Sequence, residues 1–251
     1  MNIAADLAEE VQNLKVAIHG LIAKSGDRIE NLHQVRVCAR QLRAFCWVLR
    51  HDYKTSQIQN LKSIAVHMKQ LGAALSYGRE LDVSLEWAEK HHLNTKPIQA
   101  LREQEGKKIR VFLSLFLSRR GPKILSRLET LTDLLAQKSP LLVPKPADHV
   151  LRKLLLKCQK SQPKSKKDFH RLRISIRNLV YIFKARREDC PSNIGRFQKQ
   201  LGQLHDFESF KKLNISIHSL KSLKKKRHRL KKKIHKKYPG VMNSLSKTIR
   251  N

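Results

Sequence analysis

Glycine, aromatic residues and acidic residues are all scarce in this chain of 251 residues. It holds 9 glycines, and 6% of its residues are aromatic. Leu, Lys, Arg and Gln, which favour helices, are abundant instead, so the composition favours an all-helical protein. The 40% of residues that are hydrophobic are enough to form a core.

The shortage of acidic residues leaves a large positive charge. Asp and Glu number 20 against 53 Lys and Arg, which gives a formal net charge of +33. The excess is spread over the whole chain rather than confined to one tail. Such a charge needs an anionic partner, and the general candidates are nucleic acid, an anionic membrane surface or another polyanion.

Long hydrophobic runs and paired cysteines are also missing. The longest apolar stretch, IRVFLSLFLS from Ile109, is far shorter than the ~20 residues of a membrane span. Asp6, Glu9 and Glu10 interrupt the first turns, so we expect no signal peptide. None of the four cysteines belongs to a C-x-x-C pair, and we expect reduced core thiols in a cytoplasmic protein. They are Cys38, Cys46, Cys158 and Cys190.

Helical periodicity recurs along nearly the whole chain, and no strand-like alternation persists. It predicts helices at about 3–24, 28–51, 55–76, 80–92, 97–118, 121–138, 147–160, 167–188, 193–204 and 207–236. The segment SPLLVPKPAD from Ser139 contains three prolines. It predicts a proline-rich connection at 140–146 between an N-terminal half, 1–139, and a C-terminal half, 147–251.

The two halves carry similar motifs in the same order. HQVRVCARQL at His33 matches HRLRISIRNL at His170 in its histidine, two arginines and leucine. LGAALSYGRELD and LGQLHDF both begin with Leu-Gly and reach an aspartate, Asp82 and Asp206 respectively. Two matches in one order predict an internal duplication of helical bundles.

Each histidine-arginine motif forms a cationic stripe on one side of its helix. At about 100° per residue, the cations of the first motif fall within an arc of roughly 80° and span about 15 Å. This first stripe consists of His33, Arg36, Arg40 and Arg43. The opposite side is apolar and holds Val35, Cys38, Leu42, Phe45, Cys46 and Leu49.

The second motif behaves in the same way. Its second stripe consists of His170, Arg173, Arg177 and Lys184. The apolar side behind it holds Leu172, Ile176, Leu179, Ile182 and Phe183. A solvated basic face is one interpretation of either stripe, but solvated faces usually mix charges of both signs, and neither stripe contains a carboxylate. Because arginine offers a planar fork of donors suited to phosphate oxygens, we interpret both stripes as anion-binding faces.

These motifs resemble the CHAD domain, the conserved histidine α-helical domain. The family pattern H-x-x-R-x-x-x-R-x-x-R, then L-G-x(n)-R-[DE]-L-D-V, is matched by the first stripe and by Leu71, Gly72, Arg79, Glu80, Leu81, Asp82 and Val83. The second pattern is matched by His170, Arg173, Arg177, Tyr181, Leu201, Gly202, Leu204 and Asp206. The resemblance covers nearly the full chain.

The resemblance implies an all-α fold of two pseudo-symmetric antiparallel helical bundles that enclose a basic groove. It also implies that inorganic polyphosphate binds to both stripes and Arg79. The sequence departs from the family at three positions: Val180 replaces an arginine, Glu80 replaces an aspartate and His205 replaces an asparagine. Lys184, one turn after Val180, partly restores the missing charge.

Other residues with chemical potential fit supporting roles better than catalysis. Asp82 and Asp206 are either catalytic carboxylates or, as we favour, residues that cap helices or hold arginines of the stripe in place. His91 and His92 would point apart on a helix, and neither His33 nor His170 has a carboxylate or thiol at ligand spacing, so we expect no metal and no cofactor. P-loop, G-x-S-x-G and H-E-x-x-H motifs are absent, as is the E-x-E-x-K signature of triphosphate-tunnel enzymes, so we expect no enzyme.

The leading prediction is therefore non-catalytic binding of inorganic polyphosphate. The alternative is binding of DNA or RNA. Aromatic side chains on the basic faces would favour it, but the stripes contain none, and the nearest exception is Trp47, one turn beyond Arg43. A third interpretation is a helical scaffold whose charge serves solubility. The Lys221–Lys237 run predicts either a helix docked along one edge or a solvated tail. We expect a cytoplasmic location, where the resemblance would allow association with polyphosphate granules.

Overall fold

The computed structural model describes residues 3–50, 55–90, 92–137, 147–186, 188–212 and 220–250, and this part of the chain contains helices and no strand. The prediction of an all-α fold is confirmed. The helices are α1 (Ile3–Ala23), α2 (Arg28–Leu49), α3 (Thr55–Ala74), α4 (Ser76–Lys90), α5 (Lys96–Leu115), α6 (Gly121–Gln137), α7 (Ala147–Lys160), α8 (Lys166–Arg186), α9 (Ser192–Lys212) and α10 (Leu220–Arg250), with a π-helical turn, Phe116–Arg120, between α5 and α6.

The helices divide into two units. Unit 1 covers residues 1–146 and contains α1 to α6, while unit 2 covers residues 147–251 and contains α7 to α10. The predicted proline-rich connection at 140–146 lies outside the described residues. The internal duplication and the enclosed groove remain predictions.

In unit 1, α2 packs against α1, α3 and α4. Asp27 begins the helix because its side chain accepts a hydrogen bond from the backbone N–H of Ile29 at 2.7 Å. The whole predicted apolar side of α2 is buried: Val35, Cys38, Leu42, Phe45, Cys46 and Leu49. Burial of this side holds α2 in the core and leaves its cationic side facing outward.

In unit 2, α8 packs against α7 and α9. A reciprocal cap begins the helix, since the Ser165 backbone N–H donates to the Asp168 carboxylate at 2.9 Å and the Asp168 N–H donates to the Ser165 hydroxyl at 3.2 Å. The predicted apolar side of α8 is also fully buried: Leu172, Ile176, Leu179, Ile182 and Phe183. Both stripe helices are therefore amphipathic in the predicted sense.

The largest difference from the predicted helix boundaries lies near the C-terminus. The break predicted at 204–207 is wrong, because α9 runs unbroken from Ser192 to Lys212 and α10 begins at Leu220. The prediction also ended the last helix before Pro239, whereas α10 continues to Arg250. Pro239 is exposed, so water can satisfy the carbonyl that loses its partner, and the burial of Val241, Leu245 and Ile249 beyond it stabilises the helix. Within the described ranges, no helix is long and apolar enough to cross a membrane.

Candidate anion-binding site

The first stripe lies along the outward side of α2, beside α4. All four of its side chains, His33, Arg36, Arg40 and Arg43, are partly buried rather than fully solvated. Arg79 on α4 is partly buried too, and it lies close enough to exert its charge on His33. The structure thus brings the five basic residues predicted for unit 1 into one neighbourhood.

The pKa of His33 reflects the positive charge of this neighbourhood. Burial lowers the pKa of the His33 imidazole, and the charges of Arg79, Arg40 and Arg36 lower it further. Glu30, one turn earlier on α2, opposes them without reversing the direction. The imidazole is therefore neutral at pH 7 in the free protein, and an anion that offsets the arginine charges would favour its protonation.

Arg36 connects the stripe to the rest of unit 1. Its Nη1 donates to the carbonyl of Gly72 and to the hydroxyl of Ser76, both at 2.8 Å. The Ser76 hydroxyl itself donates to the Gly72 carbonyl at 3.1 Å. These bonds fasten α2 to the junction of α3 and α4, so Arg36 positions the stripe in addition to contributing its charge. The Leu-Gly motif at Leu71 thus supplies a partner for the histidine-arginine motif.

Arg43 lies over an aromatic ring. Its guanidinium carbon is 5.1 Å from the centre of the Trp47 ring, which is a cation–π distance. Burial lowers the pKa of Arg43, and the charge of Arg40 adds to this effect. Among the described residues, neither Arg40 nor Arg43 forms an ion pair with a carboxylate. The two arginines repel each other, and an anionic ligand would relieve that repulsion.

Asp82 is a buried anchor for two arginines that sequence reasoning missed. Its side chain is 0% exposed, and its Oδ1 accepts hydrogen bonds from Arg28 Nη1 and Arg102 Nε, each at 2.8 Å. The carboxylate therefore joins the start of α2 to α4 and α5. It holds two arginines, but both lie outside the first stripe, whose arginines Asp82 was predicted to hold. Sequence separations of 54 and 20 residues left no local signal of the pairing.

The second stripe lies along α8. His170 and Lys184 are exposed, while Arg173 and Arg177 are partly buried. The His170 ring stacks on His205 of α9 with a centroid distance of 6.0 Å and an interplanar angle of 28°.

The departure from the family at His205 thus brings a second imidazole to this stripe. Asp206, whose side chain is 44% exposed, places its Oδ1 3.5 Å from His205 Nδ1. Asp206 therefore lies near the second stripe, beside the imidazole of His205.

Unit 2 contains an ion-pair centre at Glu208 that the sequence analysis also did not predict. The Glu208 carboxylate receives Arg227 Nε and Nη2 at 2.6 Å and Lys166 Nζ at 3.1 Å. Burial alone would raise the pKa of Glu208, but Lys166 and Arg227 outweigh it and hold the pKa below its usual value. The centre joins α8, α9 and α10, and its members are too far apart in sequence to show a pattern.

No group of three or more His, Cys, Asp or Glu residues suited to a metal ion occurs in the part of the chain that the structure describes. His91, considered in the sequence as a ligand, lies outside that part, and His92 is exposed with a positive φ of 52°. The four cysteines form no disulfide, and three of them are buried.

The fold and the site define an all-α protein of two helical units, each with a helix that carries histidine and arginine along one side. The chain belongs to the CHAD domain family, whose sequence model matches residues 5–213. It is similar to the crystal structure of the CHAD domain from the plant Ricinus communis, with 16% identity over 97% of this chain and 90% of that chain and a TM-score of 0.59.

A second similar structure is PptA from Streptomyces chartreusis. It shares 12% identity over 98% of each chain, with a TM-score of 0.55. At these identities the two similarities concern the fold alone. A search of curated proteins found no match.

Proposed function

We propose that this protein binds inorganic polyphosphate and catalyses no reaction on it. The observation that carries the proposal is the clustering of Arg36, Arg40 and Arg79 around His33, where their charges add to burial in lowering the pKa of that imidazole. Membership of the CHAD family supports phosphate polymers as the ligand. The net charge of +33 supports a polyanion over a small anion.

The arginines of the first stripe and Arg79 have different roles in the proposed binding. Arg40, Arg43 and Arg79 direct charged donors at phosphate oxygens, and their planar guanidinium groups can hold two oxygens at once. Arg36 holds α2 against the α3–α4 junction and so fixes the spacing of the others. Since folding has already brought these cations together, the ligand gains affinity by relieving their repulsion.

Binding also depends on the release of counterions. A polyphosphate chain carries condensed cations, as DNA does, and each protein cation that replaces one adds entropy. Affinity should therefore fall steeply as salt rises. We place the protein in the cytoplasm at polyphosphate granules on the basis of this proposed ligand.

One observation supports polyphosphate over nucleic acid at this site. Recognition of single-stranded nucleic acid usually adds stacking of bases on aromatic rings. Trp47, which lies one turn beyond Arg43 on α2, is partly buried and already lies against Arg43. A ligand without bases needs no such platform.

The environment of Asp82 supports the absence of catalysis. A general acid or base must reach the reacting group, and the Asp82 side chain has no exposed surface. Asp206 is accessible, but its position beside His205 suits a role in orienting that imidazole as well as it suits catalysis.

The test compares the double variant Arg40→Ala/Arg43→Ala with the wild-type protein by titration of long-chain polyphosphate. Each substitution should weaken binding by about 1–3 kcal/mol through lost charge-assisted bonds, while folding is retained. The matched control is Lys62→Ala/Lys69→Ala, which removes two exposed charges from α3 of the same unit. Equal affinity of the two double variants would show that net charge alone governs binding and would refute the assigned site.

A further inference from the structure

Within the described ranges, the densest run of exposed basic side chains lies on α10, beyond the residues that the family model matches. The segment from Leu220 to Arg250 contains no Asp or Glu. Its first half presents ten exposed basic side chains, which we call the α10 basic face. They are Lys224, Lys225, Lys226, His228, Arg229, Lys232, Lys233, His235, Lys236 and Lys237.

This face is part of a fixed helix and not of a solvated tail. Ile234 is fully buried, and Lys231 lies 5.4 Å from the centre of the Phe169 ring. Arg227 is bound to Glu208, and the Tyr238 hydroxyl donates to backbone carbonyls of α7 at 3.0 Å. Packing on α7 and α9, together with the contact to Phe169 of α8, thus holds the basic half of α10 in one orientation within unit 2.

The shape of the face restricts its partner. At about 100° per residue, the exposed lysines and Arg229 cover about 220° of the circumference. At 1.5 Å per residue, they extend over about 20 Å of the axis. A flat surface can approach only a fraction of such an arc, whereas a concave surface with negative walls on two sides can contact most of it.

An anionic membrane fits the face poorly for a second reason. Helices that bind membranes insert an apolar side between the lipids. The apolar side of α10 is used for packing in unit 2, and none of the exposed large hydrophobic residues found in the described ranges belongs to α10. The face therefore offers charge alone.

We propose that the α10 basic face binds the major groove of B-form DNA without sequence preference. The groove is about 12 Å wide and admits an α-helix about 10–12 Å in diameter, with phosphates along both walls. Duplex DNA carries one charge per about 1.7 Å, so the length of the face meets about 12 phosphates. Lysine supplies point charges and Arg229 the one exposed fork, so the face contacts phosphates and does not read bases.

This site is separate from the proposed polyphosphate site in unit 1. It uses another helix, and none of its residues belongs to either stripe. A protein with both sites could hold a phosphate polymer and DNA at once. The two proposals stand or fall by different variants.

The experiment measures binding of a fluorescent 20-base-pair duplex DNA of arbitrary sequence, by anisotropy, over a range of salt concentrations. The test variant changes six residues of the face to Gln, which preserves helix propensity. They are Lys225, Lys226, Arg229, Lys232, Lys233 and Lys236. The control variant removes the same charge from exposed lysines of unit 1 by changing them to Gln. They are Lys62, Lys69, Lys90, Lys96, Lys107 and Lys123.

The α10 variant should bind the duplex at least about 100-fold more weakly near 0.1 M salt, with a salt slope shallower by up to about 5. The control should lose less than about tenfold. Both variants should keep the circular dichroism of the wild-type protein. If the α10 variant lost helicity, a variant with only Lys225, Lys232 and Lys236 changed to Gln would replace it in the binding measurement. If both variants bound the duplex equally weakly, net charge alone would explain the binding and the proposal would be overturned.

Two further ligands test the chosen geometry. The narrow major groove of A-form RNA excludes a helix, so duplex RNA should bind more weakly than duplex DNA. Vesicles with an anionic surface should compete poorly with the DNA. Stronger binding of vesicles or of duplex RNA through the same six residues would overturn the assignment of the groove.

Discussion

Replacement of Asp82 by Ala should destabilise unit 1 more than any other single substitution in the predicted site. The change removes the acceptor of two hydrogen bonds of 2.8 Å and leaves Arg28 and Arg102 without the carboxylate that joins them. Breaking a buried ion pair by removing one partner costs about 3–5 kcal/mol. The two arginine side chains are 28% and 26% exposed, so water reaches them in part, and we expect the lower end, about 3 kcal/mol.

The measurement is urea unfolding followed by circular dichroism, with thermal unfolding as a second readout. A loss of about 3 kcal/mol lowers the melting temperature of a protein of this size by about 6–12 °C. Asp82→Asn keeps the shape and one acceptor, so it should lie between the wild-type protein and Asp82→Ala. Asp206→Ala is the matched control, and because that side chain is 44% exposed it should cost less than about 1 kcal/mol.

The reasoning would be refuted if Asp82→Ala cost no more than Asp206→Ala. Water would then replace the carboxylate fully, and the joint between α2, α4 and α5 would not depend on it. The Asp82→Asn protein also separates stability from binding. Its affinity for polyphosphate should stay within about threefold of the wild-type value, since the carboxylate lies beneath the site.

Two further predictions concern protonation. Burial and Arg79 lower the pKa of His33 in the free protein and a polyanion should raise it, so binding should take up a proton and strengthen as pH falls from 8 towards 6. Calorimetry in two buffers of different ionisation enthalpy measures this uptake, which should vanish in His33→Gln; equal uptake in that variant would assign the proton to another group. Burial also raises the pKa of Cys46 and Cys158 to about 12 and that of Cys190 to about 11. Iodoacetamide should therefore label the partly exposed Cys190 first in the native protein, and equally fast labelling of Cys46 would contradict the structure.

Local patterns were sufficient to predict the parts of the fold that depend on neighbouring residues. The periodicity of α2 and α8 identified their buried sides because each apolar residue packs on the side that its helical angle dictates. The first stripe followed from the same angles. The family resemblance then added Arg79, which lies on another helix and has no local connection to His33.

Long-range pairs could not be predicted in this way. Asp82 was recognised as a supporting residue, but its partners lie 54 and 20 residues away and obey no repeat. The attachment of Arg36 to Gly72 depends on how two helices meet, which the sequence of either helix does not contain. The last helix was predicted to end at about residue 236, whereas the burial of residues beyond Pro239 continues it to Arg250.

The most direct test of the proposed function is a competition for the protein at 0.15 M salt. Labelled long-chain polyphosphate is bound first, and duplex DNA or single-stranded RNA is then added at equal phosphate concentration. The wild-type protein and the six-residue α10 variant are compared, so that DNA bound to α10 is separated from DNA at the stripes. We predict that polyphosphate remains bound to both proteins; its displacement from the α10 variant by DNA or RNA would contradict the account.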